Sequence, residues 1–402
     1  MKRMKRGLGV LLAGTMLAGA LSGCESKPAA DDVTYQLTGI ARDAILLKVN
    51  GEPVTAEEYF FQLGQDISYM QQLGALSGED PWGQELEEGK TLAAYVKEDA
   101  LQLVKYYEVI QSKAKEYGVT VTDEQKAELE EQFTQLEQNL AGQGATIQMA
   151  TEAQGISEQG FRTFMEESYL VSNLFEKLSE EGGPLVPTDE SMAAYLEESG
   201  TYRVKHILLS TRHENEDGSY TAFSAEEEAK VKAEAEALTA ELRTADDQEA
   251  LFDEKMKERS DDGRDANGDL YAPEGYTAVP GQMVAEFEEA SLALAEGEIS
   301  DPVKSEFGYH IILRLNADTE ETRASFPEDR FRQLTNEWVE AAQVETEAAY
   351  DTVDPEDYYA KLTARAEEIR NEMQANQSPA PTGSAAPESG TPAPSPTAGA
   401  DA

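Results

Sequence analysis

Three histidines and one cysteine carry the most chemistry per position in this 402-residue chain. His206 sits in Arg203-Val204-Lys205-His206-Ile207-Leu208-Leu209, and His310 in Tyr309-His310-Ile311-Ile312. Both stretches are rich in β-branched and aromatic residues and read as strands. If the two strands are sheet neighbours, facing imidazoles can hydrogen-bond and fix each other's tautomer. A histidine on an apolar strand face is commonly a satisfied core residue, so scaffolding and direct chemistry both stand as readings of this pair. His213 lies among Arg212, Glu214, Glu216 and Asp217 and reads as solvent-exposed. A single cysteine, Cys24, excludes an intrachain disulfide and a cysteine-built zinc site. Three histidines do not make a His-rich centre, so no metal and no cofactor is implied.

The charge balance excludes other classes. Lys and Arg number 33 against 79 Asp and Glu, a formal net charge of −46. Such a chain repels phosphate backbones, which argues against nucleic-acid binding, and it has no basic surface for anionic lipid. With 40% hydrophobic and 28% charged residues, a packed core is available. The length suggests two or three domains.

Cys24 has a context of its own. Lys2, Arg3, Lys5 and Arg6 precede the apolar run Leu11 to Leu21, which is too short to span a bilayer. The run ends in Leu21-Ser22-Gly23-Cys24, which resembles the lipobox of bacterial lipoproteins. That resemblance implies a signal peptide over 1–23 and lipid on Cys24. The mature chain is then expected at the cell membrane, lipid-anchored on the extracytoplasmic face, with residues 24–43 as a polar tether.

Stepping outward, the spacing predicts a mainly helical stretch over 44–198. Ile45 to Val54 reads as a strand and tight turn at Asn50-Gly51, and Thr55 with Glu58 forms a capping box. Leu92, Val96, Leu103, Tyr107, Ile110 and Ala114 fall on one helix face ending at Gly118. Thr122 with Gln125, and then Ser157, open two further helices. Over 199–318 the pattern becomes β-α-α-(loop)-α-β-β, an α+β order. Its parts are strand Tyr202–Leu209, a polar loop 210–223, helices near 224–243, 246–258 and 285–295, and strands Ile299–Val303 and Tyr309–Leu315. Residues 326–374, within a segment 319–375, return to helix. The tail 376–402 has no large apolar residue and six prolines, so it is expected to be disordered.

The middle stretch resembles the parvulin family of peptidyl-prolyl cis/trans isomerases. Six ordered blocks carry the resemblance: the His206-Ile207-Leu208 strand, Ser260-Asp261-Asp262, Asn267-Gly268-Asp269-Leu270, Gly281-Gln282-Met283-Val284 with Phe287-Glu288-Glu289-Ala290, Gly297-Glu298-Ile299-Ser300-Asp301-Pro302-Val303, and Phe307-Gly308-Tyr309-His310-Ile311-Ile312. The resemblance implies His206, Asp262 and His310 as the polar network of the site, and Leu270, Met283, Phe287 and Phe307 as its proline pocket. Plainer readings stand beside these: Met283 and Phe287, at i and i+4, also fit a core, and Asp262 also fits a turn. Rotating an X–Pro bond crosses about 18–20 kcal/mol through a twisted amide. No nucleophile is needed; an apolar grip on the ring and polar groups that favour the twisted state suffice.

Two departures from the family pattern stand out. Tyr271 follows Leu270 where the family has glycine, and the stretch Tyr271–Pro280 is longer than usual. The loop 210–223 sets Arg212 against Glu214, Glu216 and Asp217, so no selection of phosphorylated Ser/Thr-Pro is expected. The stretch 44–198, with its Val49-Asn50-Gly51-Glu52-Pro53-Val54-Thr55 start, resembles the helical chaperone domain of extracytoplasmic foldases of the PrsA and SurA type. That resemblance implies a mainly α-helical chaperone lobe, made of 44–198 with 319–375 packed on it, and an inserted α+β parvulin domain. The implied partners are unfolded or nascent secreted polypeptides containing X–Pro bonds. The alternative is a catalytically inactive parvulin-like holdase.

Overall fold

A computed structural model describes residues 29–376 except 30, 88, 216 and 266. The signal segment 1–23, Cys24 and the tail from 377 lie outside the described residues. The chain is mostly helical with one α+β domain, and it divides into two compact units. Among the described residues, one comprises those up to 104, 131–163 and 344–376, and the other 105–130 and 164–343. Segments 44–198 and 319–375 each contribute to both. Among the described residues, no helix is long and apolar enough to cross a membrane.

In the first unit, Ile45–Val49 and Glu52–Thr55 form a hairpin. Its turn places Asn50 at φ 52° and Gly51 at φ 87°, the doubly left-handed geometry that Asn-Gly tolerates. The Thr55 hydroxyl accepts from the Glu58 N–H, while Thr55 N–H donates to the Glu58 carboxylate at 2.7 Å. This box opens the helix Ala56–Gln72, which buries Tyr59, Phe60, Leu63 and Ile67. Tyr358 of the helix Pro355–Asn376 donates to the Phe60 carbonyl at 2.8 Å and is buried there.

Two expectations need correcting in this unit. The polar stretch read as a tether contains the helix Val33–Thr38, capped by Asp32, with Val33 and Leu37 buried. Two apolar residues at i and i+4 were too faint a pattern to announce it. The helix expected over 326–374 is interrupted. Glu320–Ala341 ends at Ala342, and Val344–Thr346 becomes a strand on the open edge of Ile45–Val49, with Leu47 opposite Thr346. The last helix restarts at Pro355, with Asp354 Oδ1 accepting from the Glu356 and Asp357 N–H groups. Proline is favourable at that first helical position because its missing N–H has no intrahelical partner there.

The second unit holds a helical cluster and the α+β domain. Ile110, Leu174, Leu178, Leu185 and Leu334 form the buried helical cluster. The α+β domain is built on a four-stranded antiparallel sheet in the order Tyr276–Ala278, Tyr202–Ser210, Gly308–Leu315, Val303–Lys304. Across the central pair, Ile312 stands opposite His206 and Leu208 opposite His310. Alternation then divides the faces. Ile207, Leu209, Ile311 and Leu313 point to one face, under Leu238, Leu242, Phe252 and Met256 of the helices Ala225–Arg243 and Gln248–Arg259. Tyr202, Val204 and Ile312 point to the other, under Phe287 of the helix Ala285–Ala293.

Two further expectations differ in detail. The strand expected at Ile299–Val303 is reduced to a bridge at Ile299 and the strand Val303–Lys304. Pro302 has no N–H for a ladder, and the Ser300 hydroxyl takes the Ile312 N–H at 2.9 Å. The polar loop 210–223 contains a small hairpin, Arg212–Glu214 with Tyr220–Ala222.

Candidate functional site

The register of the central strands puts His206 and His310 diagonally on one face. Their Nδ1 atoms are 3.2 Å apart, and the rings stack at 29° with centroids 5.2 Å apart. The edge of Phe287 closes over both rings. Asp262 reaches His206 because the segment after the helix Gln248–Arg259 is stitched to the strand Tyr202–Ser210. Leu208 N–H donates to Ser260 Oγ, Asp261 N–H to the Leu208 carbonyl, and Ser210 N–H to the Asp261 carboxylate. Asp262 Oδ2 then lies 3.2 Å from His206 Nε2 and accepts from Tyr276 Oη at 2.7 Å. On the far side, Ser305 Oγ lies 2.7 Å from His310 Nε2 and accepts from the Phe307 N–H at 3.1 Å.

The partners dictate where the protons sit. Burial favours a neutral Asp262, but hydrogen bonds from His206 and Tyr276, with the nearby imidazole, outweigh it and hold the carboxyl down at about 2. As a carboxylate, Asp262 only accepts, so His206 donates to it through Nε2, and as the neutral imidazole it offers the Nδ1 lone pair. His310 must then donate through Nδ1 and accept at Nε2 from the Ser305 hydroxyl. Burial, and then the neighbouring His206, push His310 down to about 3, so it is neutral at ordinary pH. Burial first, and then the bond to Asp262, push the Tyr276 phenol up. The result is one directional chain: Ser305 to His310 to His206 to Asp262.

Above this floor lies a cavity of about 490 Å³. Six of the seven residues expected at the site line it: His206, Asp262, His310, Met283, Phe287 and Phe307. Leu270 does not. Its strand-like bridge to Arg264 turns it against the core on the opposite face of the sheet, with Phe252 and Met256 among that cluster. Tyr271, after it, is 70% exposed.

Four functional candidates escaped the sequence reading. Tyr276 lines the cavity from within the overlong Tyr271–Pro280 stretch, as the edge strand beside Val204. Ser305 lies two residues before Phe307, inside a region of recognised motifs, and its spacing was the available signal. Arg212 and Tyr220 come from the small hairpin. The Arg212 guanidinium is stacked 4.2 Å from the Tyr220 ring centroid and 4.5 Å from that of Phe307. The polar composition of that loop concealed the hairpin. Cys24 lies outside the described residues.

Residues 206–316 match the family model of the PPIC-type PPIase (rotamase) domain. The chain is 27% identical over 314 residues to the foldase protein PrsA of Caldanaerobacter subterraneus, covering 77% of this chain and 82% of that one. It is 38% identical over 112 residues to the chaperone SurA of Chromohalobacter salexigens, covering 27% of this chain and 21% of the other. Among solved structures, PrsA from Bacillus subtilis is 18% identical, covers 82% of this chain and 93% of its own, and has a TM-score of 0.22.

Proposed function

From the premise that this chain is a foldase of the PrsA/SurA-like kind with a parvulin-type peptidyl-prolyl isomerase domain, we propose that the domain is catalytically active and works on unfolded or nascent secreted polypeptides. X–Pro isomerisation is slow enough to limit folding, so such chains are suitable substrates. The helical parts bind the same chains as a chaperone, and lipid on Cys24 holds the protein at the extracytoplasmic face of the membrane.

The observation that carries this reading is the convergence of an apolar wall and a fully paired polar floor on one open cavity. Met283, Phe287 and Phe307 grip the pyrrolidine ring, Met283 adapting to its pucker. The twisted amide loses resonance, so its carbonyl gains ketone character and its nitrogen becomes a base. A floor of fixed dipoles running toward Asp262 favours that redistribution without reorganising. His206 and His310 organise the floor and form no bond to the substrate. Isomerisation rates on an unphosphorylated Ala-Pro peptide test the reading. Wild type should exceed the spontaneous rate, and Met283→Ala should fall well below wild type. Background rates for both proteins would leave the inactive holdase as the surviving reading.

A further inference from the structure

We propose that Tyr276 is a positioning residue of the isomerase site, whose phenol pins Asp262 as the accepting end of the histidine chain. The inference rests on the active-isomerase reading and deepens it. Tyr276 Oη and His206 Nε2 meet the same carboxylate oxygen, Oδ2, at 2.7 and 3.2 Å. Val204 stands opposite Tyr276, so Tyr276 joins the sheet face that also carries His206, and the two rings lie 5.6 Å apart. The Tyr271–Pro280 stretch, which by length alone weighs against activity, therefore supplies both an edge strand and a donor.

The physical argument concerns direction. Every other member of the chain, Ser305, His310 and His206, can donate or accept. Run backwards, with His206 donating through Nδ1 and His310 through Nε2, the same distances would serve. A carboxylate is the one group that cannot donate, so Asp262 sets the sense of the chain. The Gly263 N–H also holds this carboxylate, but the phenol is the side-chain donor that shares Oδ2 with His206. A second donor on the same oxygen fixes its rotation and opposes protonation. The charged groups near Asp262 are few: Asp261 beside it in sequence, and Arg212 on the cavity wall. The Asp261 carboxylate is taken by the Ser210 N–H, so the side-chain donors that reach Asp262 Oδ2 are His206 and Tyr276.

The test uses the full chain and Tyr276→Phe, Asp262→Asn and the double variant. Exchange NMR on the Ala-Pro peptide gives kcat and KM from pH 4 to 8, and ¹⁵N-histidine NMR on wild type reads the tautomers. Tyr276→Phe should lower kcat about tenfold, near 1.4 kcal/mol, with KM unchanged and the acid limb moved to higher pH. In the Asp262→Asn background the same change should cost less than twofold. Wild type should show His206 protonated at Nε2 and His310 at Nδ1. The proposal is overturned by a Tyr276→Phe protein with wild-type kcat and pH profile. Losses that simply add overturn it too, since the phenol would then act independently of Asp262. Reversed tautomers in wild type also overturn it, and this readout needs no variant to fold. A wild type without turnover removes the active-isomerase reading as well, whereas an active wild type with an unaffected variant removes only this inference.

Discussion

His206 and His310 face each other, Nδ1 to Nδ1 at 3.2 Å, although 104 residues separate them in sequence. Both rings are buried, at 8% and 4% exposure, and each ring has a polar partner at both of its nitrogens. A chain of this kind cannot lose a member without leaving buried polar atoms unpaired.

Replacing His206 with Ala therefore strips His310 Nδ1–H of its acceptor and Asp262 of one donor. The expected cost is about 2–4 kcal/mol of domain stability, together with a loss of turnover of tenfold or more. Urea unfolding followed by the amide signals of Gly308–Leu315 checks the first, and the peptide assay the second. A stable His206→Ala domain would mean that water replaces the ring.

Acid should destabilise this domain earlier than ordinary carboxylates do. His310 is held at about 3 against 6.5 unfolded, chiefly by burial. The unfolded chain binds the extra proton between these values, so the contribution is complete above pH 6.5 and is lost as pH falls toward 3. The limiting slope for one group is about 1.4 kcal/mol per pH unit. Denaturation midpoints from pH 7 to 4 should fall steeply in wild type and more gently in His310→Gln.

Leu270 and Met283 should separate stability from binding. Leu270→Ala shortens a half-buried side chain in the opposite-face core, so it should cost about 1–2 kcal/mol and leave KM unchanged. Met283→Ala opens the cavity wall and should raise KM with the smaller effect on stability. A raised KM for Leu270→Ala would place that residue at the substrate after all.

In the other unit, Asp66 is buried, with one carboxylate oxygen lacking a partner, and it faces Asp99. Burial, and then the like charge and hydrogen bond of Asp99, push Asp66 up to about 7. The folded form then holds a proton that the unfolded form releases, so stability falls as pH rises from about 4 to 7 and stays low above. Asp66→Asn should stabilise this unit more at pH 8 than at pH 5 in thermal melts. Equal gains at both values would rule out the shared proton.

Phosphorylation before proline should bring no advantage. Arg212 is the cation of the cavity wall, and Asp261 and Asp262 line the same space. A phosphate of charge near −2 meets more repulsion there than attraction. Turnover of phospho-Ser-Pro and Ser-Pro peptides of one sequence should be equal or favour the plain one. A clear preference for the phosphopeptide would reverse the assignment.

Sequence alone determined the features whose interactions are short in range. Thr55 with Glu58, Ser224 with Glu227 and the Asn50-Gly51 turn each need residues only one to three positions apart, and each forms as the local pattern dictates. The central strands were legible because burial on both faces selects apolar residues at successive positions, as in Ile207-Leu208-Leu209 and Ile311-Ile312-Leu313. Met283, Phe287, Phe307 and both histidines were legible through ordered motifs, and they line one cavity. Tertiary structure decided what depends on register between distant segments. It turned Leu270 to the opposite core, set Val344 on an open sheet edge, and placed Tyr276 beside Val204 within reach of Asp262. Single residues of these types carry no periodicity of their own. Their neighbours come from strand pairing across tens to hundreds of positions, where a one-residue slip sends a side chain to the other face.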